Sequence, residues 1–210
     1  MNRIDSIVFD LGKVLLDWDP RYFYRQHFPG DHDGLEAFVR DIVPSSWIVS
    51  MDAGKPSSVA IAERQREHPD HAHLIGLWMQ GWGQMLRGEI AGTAQILREL
   101  KARKLRLYAL TNFSMETFPL AQQRCASLRL FDDTVVSAEA GLIKPDPRIY
   151  AYTEKRCGLV PGNTLFIDDL EVNVAGARKA GWHALQFVSP EALRASLSQM
   201  ALLPGGEPGR

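Results

Sequence analysis

Asp10, Thr111, Asn112, Lys144, Asp168 and Asp169 are residues whose types and settings can do chemistry together. Asp10 ends the apolar run Ile7-Val8-Phe9, Thr111-Asn112 ends the run 105–110, Lys144 precedes Pro145, and Asp168-Asp169 follows the run 164–167. A carboxylate held at a strand end can attack phosphorus or carbon and form a covalent intermediate. Aspartate is common at strand ends, so alone Asp10 reads as a turn or capping residue. The Asp168-Asp169 pair changes that reading, because adjacent carboxylates repel each other and are costly to hold without a cation. Magnesium takes oxygen ligands and keeps several waters, so one carboxylate each from Asp10 and Asp169 with a backbone carbonyl would suffice. Asp168 reads either as a cap of the following helix or as a group supporting the ligands. Thr111-Asn112 offers a hydroxyl, an amide and N–H groups near a helix start, which suits phosphate as well as simple N-capping. Pro145 holds Lys144 out of helical conformation, where its ammonium can reach a crevice and stabilise developing negative charge. An isolated lysine is ordinarily solvated; the other three elements give this one its weight.

These residues meet only if the runs are parallel strands. Residues 4–9 form the β-branched and aromatic run of a buried parallel strand. After Gly92 the pattern predicts helix 93–103, strand 105–110, helix 115–126, strand 134–137, helix 147–157 and strand 164–167. Helix 172–180, strand 183–187 and a last helix 189–200, opened by Ser189-Pro190, complete it. Such alternation predicts a doubly wound parallel α/β sheet with helices on both faces, whose strand ends converge on one crevice. From about Trp18 to Gly88 the pattern is helical, punctuated at Pro29-Gly30, Pro44, Gly54-Lys55-Pro56 and Pro69, with no convincing strand. It reads as a helical cap inserted into the core. The expected division is an α/β core of 1–16 and 89–203, a cap of 17–88 and a loose tail of 204–210.

With 210 residues, 45% hydrophobic and 23% charged, the chain can bury a sizeable core. A formal charge of -1 provides no global field for nucleic acid or an anionic membrane, and neither is expected as a partner. The amino terminus runs into the first strand without a signal-peptide pattern, and no apolar run reaches bilayer length, so the expected location is the cytoplasm. Cys125 and Cys157 lack paired or zinc-type spacing and are expected to be buried thiols. His68, His71 and His73 read as a hydrophilic turn, having no nearby Cys and no helical i, i+4 pair. Four of the five tryptophans, Trp18, Trp47, Trp78 and Trp82, fall in the cap with Tyr22 and Tyr24. They are expected first as cap core and second as rings stacking on substrate. Arg21, Arg25 and Arg87 are weighed as anion contacts, with surface roles favoured. Asp17 and Asp19 stay open between capping the first cap helix and facing substrate.

Four ordered segments resemble the motifs of the haloacid dehalogenase superfamily of hydrolases: Val8-Phe9-Asp10-Leu11-Gly12-Lys13-Val14-Leu15, Leu110-Thr111-Asn112, Gly141-Leu142-Ile143-Lys144-Pro145-Asp146 and Phe166-Ile167-Asp168-Asp169-Leu170-Glu171-Val172-Asn173. They span nearly the whole core. The resemblance implies a Rossmann-like core with a small helical cap of the subfamily I type, Mg2+ as cofactor and a small phosphorylated molecule as substrate. It implies Asp10 as nucleophile, Thr111 and Asn112 holding the transferring phosphoryl group, and Lys144 ordering the site. Asp10, Gly12 through its carbonyl and Asp169 are implied as metal ligands, with Asp168 and Asn173 behind them. Oligomeric state stays open.

Gly12 departs from the phosphatases of that superfamily, which usually carry a second aspartate there as general acid and base. A glycine carbonyl can bind metal but cannot move protons. Phe9-Asp10-Leu11-Gly12 followed by Asp17-Trp18-Asp19-Pro20 resembles a bacterial branch that includes sugar-phosphate phosphatases, which keeps a phosphatase in place despite the glycine. Lys13 is unusual at its position and is expected to face solvent. Two alternatives stay open. The 2-haloacid dehalogenases attack carbon with the same aspartate and need no metal, but carry hydroxyl and amide residues where this chain has Asp168-Asp169. Two uncompensated carboxylates would repel a carboxylate substrate and its leaving halide. A degenerate binding or regulatory protein would account for Gly12 but not for intact Asp10, Lys144 and Asp169.

Overall fold

Among the described residues seven strands order the chain: β1 (Ser6–Phe9), β2 (Leu16–Trp18), β3 (Leu86–Glu89), β4 (Arg106–Thr111), β5 (Asp133–Val136), β6 (Thr164–Asp168) and β7 (His183–Gln186). The computed structural model describes residues 3–204, so the expected tail beyond Pro204 lies outside the described residues. Five strands form a parallel sheet in the order β5-β4-β1-β6-β7. The chain leaves β1 for β4 on one side and returns to β6 on the other, which makes the end of β1 a topological switch point. Phe9 pairs with Ala109 and with Ile167, so the next rung sets Asp10 level with Leu110 and Asp168. Register alone therefore brings three distant segments to one rim.

Alternation along β1 splits the core between the two sheet faces: Ile7 and Phe9 enter one apolar cluster and Val8 the other. The helices Ala91–Ala102 and Pro190–Gln199 supply Ile96, Leu97, Leu193 and Leu197 to the first cluster. The helix Pro147–Cys157 supplies Ile149 and Tyr150 to the second, and Glu171–Lys179 supplies Ala177. Helices cover both faces, the doubly wound arrangement that the alternation predicts. The first cluster continues into the segment between β2 and β3 through Tyr24, Phe38, Ile75 and Trp78. Among the described residues no helix is long and apolar enough to cross a membrane.

Three expectations need correction. Strands β2 and β3 pair antiparallel as a two-stranded ribbon at the ends of the segment read as mainly helical with no convincing strand. Leu-Arg-Gly-Glu is too short and polar to signal a strand, and its partner is remote in sequence. The helix expected at 115–126 narrows to Phe118–Arg124. Ser114 and Thr117 hydroxyls bond each other at 2.7 Å and Ser114 Oγ accepts the Thr117 N–H at 3.2 Å, so side chains take the backbone's partners before the helix begins. Cys125 is buried, but Cys157, the last residue of its helix, is only partly so.

Gly176 shows how tightly the helix behind the site is packed. A Cβ there would stand 2.6 Å from Tyr150 Oη, which donates to the Asn173 carbonyl at 2.8 Å. Gly176→Ala should therefore lower unfolding free energy by roughly 1–3 kcal/mol, although alanine is the better helix former by about 1 kcal/mol. Urea denaturation measures the sign, and a stabilised variant would mean that Tyr150 yields freely.

Candidate active site

The Lys144 ammonium is the centre of the rim. Its Nζ lies 2.8 Å from Asp10 Oδ1 and 2.7 Å from Asp168 Oδ2, and donates to the Leu110 carbonyl at 2.9 Å. The Lys144 side chain is 1% exposed, so these contacts form away from water. Burial works against its charge, but Asp10 and Asp168 outweigh it and hold the lysine pKa above its ordinary value.

Local structure explains how a lysine reaches this point. The short helix Ser137–Ala140 ends at Gly141, whose φ of 66° suits a residue without Cβ. Asp146 then caps the helix Pro147–Cys157 by accepting the Arg148 N–H at 2.9 Å. Between them the Asn112 side chain grips the lysine backbone at two points. Asn112 Oδ1 accepts the Lys144 N–H at 2.9 Å and Asn112 Nδ2 donates to the Lys144 carbonyl at 3.2 Å. The amide implied as a phosphate holder is thus committed to placing Lys144.

Thr111 differs. It is 1% exposed, and its Oγ1 has no hydrogen-bond partner among the described residues. A buried hydroxyl without a partner is costly unless a bound group satisfies it. An anion at the strand ends would do so.

Asp10, Asp168 and Asp169 each offer a carboxylate oxygen within 4.8 Å of the others'. Their roles separate by hydrogen bonding. Asp168 is fully buried, and beyond Lys144 its oxygens accept Leu170 N–H at 2.9 Å and Asn173 Nδ2 at 3.0 Å. It braces the lysine. Burial first, and the charge of Asp168 second, raise the pKa of Asp169. Burial also raises that of Asp10, with Asp168 adding and Lys144 opposing. Carboxyls outnumber the single ammonium, an all-oxygen, acid-rich set that suits a hard divalent cation. Among the described residues this is the one cluster of its kind, and the histidine stretch forms none.

Gly12 and Asn112 reach from this rim into a pocket walled by Trp18, Ile48, Met51, Trp78, Trp82 and Leu86. A Cβ on Gly12 would meet nothing within 4 Å. Trp78 and Trp82, from the segment between β2 and β3, are buried and also face this pocket, so these two serve as core and as wall at once. Sequence reasoning passed over Asp52, at the end of the helix Ser45–Asp52, which lines the same pocket. Its signal is weak: one acid before Gly54-Lys55-Pro56, with no spacing that ties it to Asp10.

The remaining candidates are engaged elsewhere. Arg21 pairs with Asp19 and Glu36, and Asp19 Oδ1 accepts the Arg21 N–H at 2.8 Å, which makes it a helix-start group. Asp17 accepts the Tyr22 hydroxyl at 2.7 Å, and Arg87 stacks 3.7 Å from the Tyr22 ring centre. Lys13 is exposed with φ 60°, a left-handed backbone that a side chain tolerates poorly, beside Asp169.

A family model described as haloacid dehalogenase-like hydrolase matches residues 4–181. The chain is 30% identical over 206 residues to the sesquiterpene phosphatase astK of Aspergillus oryzae, covering 93% of this chain and 95% of that one. It superposes with a TM-score of 0.70 on a HAD-like family hydrolase from Porphyromonas gingivalis, at 24% identity and covering 95% and 98% of the two chains. A HAD family enzyme from Bacteroides thetaiotaomicron, solved with magnesium and inorganic phosphate, superposes at 0.64 with 19% identity, covering 87% and 93%.

Replacing the shared ammonium tests the electrostatics. Lys144→Met leaves Asp10 and Asp168 buried face to face, which should cost roughly 3–5 kcal/mol of unfolding free energy at pH 8. The Asp10 pKa, raised already, rises further in the folded variant. That state then binds a proton the unfolded chain lacks, so the deficit should shrink as pH falls from 8 toward 5. Urea melts at both pH values measure it, and a pH-independent deficit would contradict the charge argument.

Proposed function

Since the chain belongs to the haloacid dehalogenase-like hydrolases, we propose that it is a magnesium-dependent phosphatase working through an aspartyl phosphate on Asp10. The observation that carries this reading is the gathering of three carboxyls, two buried and one half-buried, around one buried lysine. A site that must take up a cation suits phosphoryl transfer, whereas attack on a haloacid would bring a further carboxylate and a departing halide into the same negative field.

Asp10 Oδ attacks phosphorus while Lys144 holds that carboxylate in place and offsets the charge gathering as the phosphoryl group transfers. The Thr111 hydroxyl, without a partner among the described residues, donates to a phosphoryl oxygen. Asn112 positions Lys144, and Asp168 with Asn173 braces it. Asp10, Asp169 and the Gly12 carbonyl would hold magnesium, which supplies positive charge to the phosphoryl oxygens.

The pocket walls narrow the substrate class. Indole rings and aliphatic side chains dominate them, which favours an apolar alcohol portion over the sugar considered from sequence. The similarity to a protein named a sesquiterpene phosphatase points the same way. Trp18 Nε1 and Ser57 Oγ, buried without partners among the described residues, would be satisfied by a polar group on that portion.

Inorganic phosphate should appear from alkyl or isoprenyl monophosphates with magnesium present, stop on chelation and return on magnesium addition. Chloride should not appear from 2-chloropropionate. Asp10→Asn should bring phosphate release to background with an unchanged circular dichroism spectrum, and retained turnover would remove Asp10 as nucleophile. Across a panel, kcat/KM for isoprenyl or alkyl phosphates should exceed that for sugar phosphates by at least about tenfold, the scale of one or two buried methylenes; the reverse order would overturn the apolar assignment.

A further inference from the structure

Departure of an alkoxide from phosphorus needs a proton, and the groups already described do not supply one. Gly12 has no side chain. Lys144 is held by two carboxylates and a carbonyl. Asp169 is assigned to the metal.

Asp52 remains. It lines the pocket with Gly12 and Asn112, from the carboxyl end of the helix Ser45–Asp52. Its backbone is fixed with respect to the rim. The Ser137 hydroxyl, fully buried, donates to the Asp52 carbonyl at 2.6 Å and accepts the Phe113 N–H at 3.0 Å. Phe113 directly follows Asn112, so one hydroxyl pins the end of this helix to the loop that carries Thr111 and Asn112. A second tie lies five residues on, where the Ser57 N–H donates to Glu116 Oε1 at 2.9 Å. The Asp52 carboxyl itself is half-buried at the pocket wall, shaped by partial removal from water and by the charges of Asp10 and Lys144, with no side-chain hydrogen bond among the described residues. A carboxyl held this way faces the pocket free to exchange a proton.

We propose that Asp52 is the acid and base of this hydrolase, acting from the cap where Gly12 leaves none in the core. The proposal rests on the phosphatase reading. In the first half-reaction the Asp10 oxygen–phosphorus bond forms, the bond from phosphorus to the ester oxygen breaks, and the Asp52 proton passes to that oxygen. In the second, water attacks phosphorus, its proton passes to the Asp52 carboxylate, and the Asp10 oxygen–phosphorus bond breaks. Ester and water become alcohol and phosphate, and both aspartates return to their starting states. Burial, with the charge of Asp10 adding and that of Lys144 opposing, pushes the Asp52 carboxyl up to about 7, so it holds a proton in a substantial fraction of molecules at neutral pH.

The dependence of rate on leaving group tests this assignment, because a poor leaving group needs the proton and a good one departs without it. The comparison is wild type against Asp52→Asn, with an alkyl monophosphate and 2,4-dinitrophenyl phosphate as substrates and magnesium present. Asp52→Asn should lower kcat/KM on the alkyl ester by about 10²–10⁴-fold, and on the dinitrophenyl ester by less than about tenfold. Mixing the variant with the dinitrophenyl ester should give a burst of dinitrophenolate, because the phosphoryl group stays on Asp10 once the base is gone. Thermal melts and circular dichroism establish that the variant is folded. Equal losses on the two esters, or none on the alkyl ester, would overturn the assignment. A wild-type protein that releases phosphate from neither ester would overturn the phosphatase reading instead.

Discussion

One ammonium ion shared by two buried carboxylates holds this molecule's working end together. Lys144 reaches in from the loop after β5 and touches groups at the ends of β1, β4 and β6. Each of those strand ends would otherwise present unpaired charge or carbonyl oxygen to a dry interior, where such groups are expensive. The lysine is therefore structural before it is anything else. Its surroundings make it insufficient, because Asp169 and Asp52 add to the acidity that it must balance. The fold completes its apolar packing and leaves its electrostatics incomplete, and that residual charge is what a phosphoryl group with its cation can satisfy.

Much of this arrangement was legible in the sequence. Apolar runs of strand length ending in Asp10, Thr111 and Asp168-Asp169 predict parallel strands, and a parallel register leaves their ends no other place to go than one rim. Lys144 was legible because Pro145 and Gly141 frame it. The two-point grip of Asn112 on Lys144 was not, since an amide can serve an anion or a backbone equally well, and only the path of the loop decides. The β2–β3 ribbon escaped because its strands are short and pair across most of the cap segment. Asp52 escaped for a related reason: its neighbours along the chain say nothing about Asp10, which reaches it only through the docking of one segment on another.

That docking has no dry boundary of its own. The apolar cluster on one sheet face runs without interruption into Tyr24, Phe38 and Trp78. The indoles of Trp78 and Trp82 are buried on one side and line the pocket on the other. The pocket wall and the packing of the segment between β2 and β3 therefore draw on the same side chains. Changing a wall residue also alters the packing that holds this segment down.

The Ser137 hydroxyl, meeting the Asp52 carbonyl and the Phe113 amide together, has a consequence for how such enzymes diversify. On the proposed role of Asp52, exchanging the segment between β2 and β3 for another would replace the pocket wall and the proton carrier together, so selectivity and turnover would be inherited as a unit.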